Sequence, residues 1–169
     1  NSGQFIRIAE RLGASVVSFD GDQACVETNY RRVRKEEDSS LLPLTIDLSN
    51  PSPSLGWELK ERNSLAQRGP ADLILALALV HHLALTHRIP LRHIASGLAQ
   101  LGDYVIIEFV PKEDSAAKTL LHSAGGKDFL DYTQGHFEEA FGAYFDVRKR
   151  EPLPDSQRVL FLLQKRLSE

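Results

Sequence analysis

The last two stretches that read as strands, residues 145–150 and 159–163, are joined by a short connection centred on Pro152-Leu153-Pro154-Asp155-Ser156. A parallel neighbour needs a crossover of about a dozen residues or more, usually a helix. This connection is too short for one, so the two stretches pair antiparallel as a hairpin. Upstream the pattern is different. Helical periodicity alternates with short apolar runs, which is the signature of β-α units and parallel pairing. The chain is therefore expected to form an α/β fold, a three-layer open and mostly parallel sheet that closes on an antiparallel hairpin.

Phe5, Ile8, Ala9 and Leu12 recur at helical spacing over residues 4–12, and Gly13 supplies the stop. Residues 14–19 read as a strand buried on both faces. Asp22 N-caps a second helix expected to bury Val26, Tyr30 and Val33, and whose far end carries Arg31, Arg32, Arg34 and Lys35. That charge complements the helix dipole and is answered by Glu36-Glu37-Asp38, so a solvated helix end is expected. Pro43 places the next strand, 41–46, at a sheet edge. A charged, helical stretch is expected over 57–68, and a fully buried central strand over 73–79. A helix at 91–101 has Pro90 near its first turn and Gly102 as its stop. Strand 104–110 follows, then helices near 115–121 and 137–144.

A length of 169 residues with 42% apolar and 25% charged side chains suits a single folded domain over residues 1–169. Lys and Arg number 20 against 23 Asp and Glu, a net charge of -3, which disfavours a protein that grips a phosphate backbone. The lone Cys25 makes neither an internal disulfide nor a multi-thiolate zinc site, so no metal is expected. The longest apolar run, near residues 73–80, falls far short of the roughly 20 residues of a membrane span. A cytoplasmic protein is expected. The composition has no methionine and the chain opens on Asn1-Ser2-Gly3, so its front is read as processed or trimmed.

In open α/β sheets the ligand lies beyond the carboxyl ends of the strands. The polar residues there are Asp20 and Asp22, Asp47, the His81-His82 pair, and Lys112 after Pro111. Together these strand ends resemble the class I S-adenosylmethionine-dependent methyltransferases, a Rossmann-like superfamily, over nearly the whole chain. Asn1-Ser2-Gly3-Gln4-Phe5 is similar to the second half of the glycine-rich first motif, and Val16-Val17-Ser18-Phe19-Asp20 to the second strand, whose terminal acid binds the ribose hydroxyls. Thr45-Ile46-Asp47-Leu48 resembles the end of the third strand, where an acid meets the adenine amino group and an apolar neighbour packs on the ring. The most specific match is Asp72-Leu73-Ile74-Leu75-Ala76-Leu77-Ala78-Leu79-Val80-His81-His82-Leu83, similar to the fourth strand and its following helix. Glu108-Phe109-Val110-Pro111-Lys112 is similar to a nodulation-associated bacterial methyltransferase group, which implies carbohydrate-related or secondary-metabolite acceptors.

The resemblance implies S-adenosyl-L-methionine as cofactor, bound by Ser2, Gly3, Asp20, Gly21, Asp22, Asp47, Leu48 and Ala76. Each has a plainer alternative: Asp20 and Asp22 as helix caps, Asp47 as a loop cap. His81 is the candidate general base, against packing on the sheet; Lys112 and Tyr132 are further acceptor-side candidates. The family's first central strand and the first half of its glycine motif are absent, so residues ahead of Asn1 are expected in the native protein. The strand over 73–79 also lacks the Asn/Asp-Pro-Pro-aromatic signature of base- and glutamine-methylating enzymes. The implied activity is methyl transfer to a small or medium-sized acceptor by in-line displacement at the sulfonium, with no nucleic acid or membrane partner. The alternatives are a non-catalytic interaction module or inert fragment, and a dinucleotide-dependent oxidoreductase. The terminal hairpin disfavours the last, whose sheet continues with a parallel strand.

Overall fold

The computed structural model describes residues 3–123 and 129–167. The chain gathers into two units, Asn1–Pro51 and Ser52–Glu169, and its strands form two sheets, one in each.

The first unit runs α1 (Gln4–Arg11), β1 (Val16–Asp20), α2 (Gln23–Glu36) and β2 (Leu41–Thr45). α1 stops where expected, because Gly13 takes φ 84 and its N–H bonds the carbonyl of Glu10 at 2.9 Å. β1 and β2 pair in parallel, Asp20 opposite Thr45, each with the other as its one strand neighbour among the described residues. Pro43 thus sits on an edge strand, as its missing N–H requires. Two expectations fail here. β1 is not buried on both faces, since Val17 is 54% exposed, and α2 buries Asn29 while leaving Tyr30 exposed. The faces of a parallel strand are buried by helices packed on them, and on β1 that cover leaves Val17 in solvent. The basic helix end is answered in part as expected, Arg32 pairing with Glu36 at 3.9 Å, and in part by other acids, Glu27 on Arg31 at 2.7 Å and Glu10 on Arg32 at 3.4 Å, while Asp38 accepts from the Ser40 amide.

The second unit runs β3 (Ala71–Ala76), α3 (Leu91–Leu101), β4 (Gly102–Phe109), α4 (Ser115–Ser123), α5 (Gln134–Gly142), β5 (Phe145–Pro152) and β6 (Val159–Lys165). Its sheet has the order β3-β4-β6-β5. β3 and β4 are parallel, and β6 is antiparallel to both β4 and β5, so the hairpin forms as its short connection dictates. The expected helix over 57–68 does not form. Gly56, Glu58 and Leu59 all take positive φ, and Leu55 and Arg62 close that loop by mutual backbone bonds, leaving only short 3-10 turns at Trp57–Leu59 and Ala66–Arg68. β3 is not the fully buried strand expected either: Leu73 and Leu75, which share one face, are 46% and 40% exposed, so that face lacks a covering layer. Gly102 opens β4 and does more than stop a helix. A Cβ there would meet the Ile74 side chain at 2.8 Å and the Ala71 carbonyl at 2.9 Å, so glycine is what lets β3 and β4 approach.

The core of this unit is aromatic. Phe137, on α5, lies 5.2 Å from Phe109, 4.3 Å from Phe141 and 5.1 Å from Phe161, ring centre to ring centre, all fully buried. Burying a side chain of this size contributes roughly 1.5–3 kcal/mol. The cluster ties α5 to the carboxyl end of β4 and the start of β6, and so fixes the strand ends where chemistry is sought.

Candidate functional site

In the first unit the in-register pairing of β1 with β2 brings the residues after both strands to one edge. Asp20 accepts the Asp22 N–H at 3.0 Å. Asp22 caps α2, accepting the Ala24 N–H at 2.8 Å, and that amide, with the Cys25 thiol, holds its carboxyl below the usual carboxylate range. Gly21 is exposed beside them. Asp47 makes the bonds of a loop cap, accepting the Ser49 amide at 2.8 Å and hydroxyl at 2.6 Å, with Leu48 half-buried next to it. Gly3 is buried at φ 73, and a Cβ there would stand 2.8 Å from the Asn29 side-chain oxygen, so the turn into α1 needs glycine. Ser2 lies outside the described residues.

The second unit builds its site at the carboxyl ends of β3 and β4. Ala76 ends β3, buried and paired with Ile107. Two residues on, Ala78 takes a left-handed φ of 49, uncommon for a residue with a Cβ. Its N–H donates to Glu108 Oε2 at 2.7 Å. Glu108 Oε1 accepts from Arg158 Nη1 at 3.1 Å, and Arg158 donates Nε and Nη2 to Asp114 at 2.7 and 2.9 Å. Asp114 accepts the Ala116 N–H as well, at 2.9 Å. The guanidinium fork holds the Asp114 carboxyl below its ordinary range, and Asp114 in turn holds Arg158 firmly protonated.

His81 follows this turn and is 1% exposed. Its Nδ1 is buried with no hydrogen-bond partner among the described residues, and its ring lies 4.3 Å from that of His82. Burial pushes its pKa down to about 4, helped by His82 and Arg158 and opposed by Asp114. At neutral pH it is an uncharged imidazole and a weak base. The chain then makes a π-helical turn at His82–Thr86. The other acceptor-side candidates are engaged structurally. The Tyr132 hydroxyl donates to the Val110 carbonyl at 2.9 Å and burial raises its pKa, while Lys112 Nζ donates to the Phe129 carbonyl at 3.1 Å.

Sequence reasoning missed Glu108, Asp114 and Arg158. A signal existed for the first, an acid inside the apolar strand Val105-Ile106-Ile107-Glu108-Phe109, since an acid is rarely buried without a partner. Among the described residues no cluster suited to a metal ion occurs, and no helix is long and apolar enough to cross a membrane.

No protein-family model matches the chain. It is 36% identical over 167 residues to the nodulation protein NoeA of Rhizobium meliloti (strain 1021), a match that takes in 98% of this chain and 34% of that protein. The chain thus spans about a third of that relative's length. A solved structure of WbdD, a bifunctional kinase-methyltransferase, superposes with a TM-score of 0.64 at 17% identity, over 96% of this chain and 33% of that one. A SAM-dependent methyltransferase from Aquifex aeolicus gives a TM-score of 0.55 at 12% identity, over 98% of this chain and 78% of that one. The chain has the class I S-adenosylmethionine-dependent methyltransferase fold. The antiparallel β6 between β4 and β5 is the element of this methyltransferase fold that a dinucleotide-binding sheet does not share.

Proposed function

We propose that the chain forms the donor and acceptor sites of an S-adenosyl-L-methionine-dependent methyltransferase acting on a small or medium-sized acceptor. The observation that carries this reading is an acid, Asp20, at the carboxyl end of a parallel strand in a chain with the methyltransferase fold. The residues present suit the cofactor. A carboxylate offers acceptors to a ribose diol, a left-handed glycine at the head of α1 suits a close backbone approach, and Leu48 is apolar. Asp20 would take the ribose hydroxyls with Gly21 and Asp22 beside it, Asp47 and Leu48 the adenine, Ser2 and Gly3 the methionine portion.

The cofactor supplies a methyl group already activated by its positive sulfonium. What remains for the protein is alignment and the exclusion of water. The neutral, buried His81 serves that end as an uncharged packing group at the strand end better than as a base, because a pKa near 4 matches proton abstraction at neutral pH poorly. An acceptor that needs no deprotonation during the transfer fits this site. A net charge of -3 favours an acceptor other than nucleic acid.

The half-exposed Leu73 and Leu75 of β3 favour a second reading, a methyltransferase-fold interaction module without catalysis. Calorimetric titration of the protein with S-adenosylmethionine separates the two. Micromolar binding lost in Asp20→Ala supports the enzyme; no binding by the unmutated protein overturns it.

A further inference from the structure

Segments as distant in sequence as Ala78, Glu108 and Arg158 meet through charge in the second unit. Arg158 stands just before β6, Glu108 is the penultimate residue of β4, Asp114 caps α4, and Ala78 lies in the turn after β3. The β4-β6 register, Phe109 opposite Val159, is what carries Arg158 to the carboxyl end of β4. From there its fork reaches both acids, and the far oxygen of Glu108 reaches the Ala78 amide.

We propose that Arg158, Glu108 and Asp114 form a positioning relay that sets the turn after β3 and, with it, where His81 stands. The geometry is specific. Ala78 has the left-handed backbone that an alanine adopts only when its surroundings hold it there, and the group holding its N–H is a carboxylate 7% exposed as a residue. That carboxylate is itself aimed by a guanidinium whose other edge is bidentate on Asp114. A lysine cannot replace the arginine, because one ammonium cannot bridge both acids in a fixed plane. The three residues are positioning residues: none needs to touch donor or acceptor. Their use in methyl transfer rests on the function proposed above, whereas the relay itself does not.

The test uses the full protein chain and the variants Arg158→Lys and Glu108→Gln, followed by NMR without any ligand. The Ala78 amide is expected to exchange with solvent about tenfold faster in both variants, measured relative to the Ile106 and Ile107 amides of β4. Exchange that rises only in step with the β4 amides would mean a general loss of stability and would overturn the relay. Imidazole titration gives a second readout that simple loosening does not mimic. Around His81 stand His82 on its own turn, Arg158 at the start of β6 and Asp114 at the head of α4. Asp114→Asn should lower the His81 pKa and Arg158→Gln raise it, although both remove the same fork; shifts of the same sign contradict the arrangement. Calorimetry with S-adenosylhomocysteine on the same samples reads the methyltransferase assignment separately, since absent binding refutes that function and leaves the exchange result standing.

Discussion

Acid should weaken this protein through one buried side chain. His81 is neutral in the folded state with a pKa of about 4, against 6.5 for an exposed histidine. The unfolded chain therefore binds the proton first as pH falls, and stability, complete above pH 6.5, is lost as pH drops from 6.5 towards 4. The whole shift corresponds to about 3 kcal/mol at 1.36 kcal/mol for each pH unit, of which about 2.5 kcal/mol is gone by pH 4.5. His81→Leu keeps a buried apolar side chain there and removes both the titration and the unpartnered Nδ1. Urea denaturation at pH 7 and pH 4.5 should then show a loss on acidification that is smaller in His81→Leu than in the parent by about 2 kcal/mol. Equal losses in the two proteins would refute the placement of a buried neutral imidazole at position 81. His82 shifts in the same direction and Asp114 only below the usual carboxylate range, so neither reverses the sign.

Gly102→Ala should cost about 1–3 kcal/mol in chemical denaturation, from the contact of the new methyl with Ile74 and the Ala71 carbonyl. Ile74→Ala in the same chain should recover part of that cost, and strict additivity would show that the clash is elsewhere. Tyr132→Phe removes a buried donor from the Val110 carbonyl and should lower stability by about 1–2 kcal/mol without changing donor affinity. Phe137→Ala should cost about 3–5 kcal/mol, because it empties the centre of the aromatic cluster. A loss under about 1 kcal/mol, by thermal or urea unfolding, would contradict that packing.

Local signals carried the element order well. Asp22 before Gln23 reads as an N-cap and is one; Gly13 ends α1; the short Pro152-to-Ser156 connection forces the hairpin. Residues 57–68 have helical composition, but the Leu55–Arg62 closure with positive φ at Glu58 and Leu59 imposes a loop that propensity alone does not reveal. Burial of β1 and β3 was misjudged for another reason. An apolar run records what a strand can bury, whereas Val17, Leu73 and Leu75 show that exposure depends on which neighbours each strand has. The site divides in the same way. Asp20, Asp22, Asp47 and His81 each stand at the boundary of a recognisable local segment. Glu108, Asp114 and Arg158 become one group only through the antiparallel β4-β6 register, a long-range fact no window of sequence contains.

The central claim is that this fold binds a methyl donor through the acid ending β1. Isothermal titration of the protein and of Asp20→Ala with S-adenosylmethionine tests it most directly. Micromolar binding is expected in the unmutated protein and should disappear in the variant while its melting temperature is retained. No heat of binding in the unmutated protein, or equal affinity in Asp20→Ala, would contradict it.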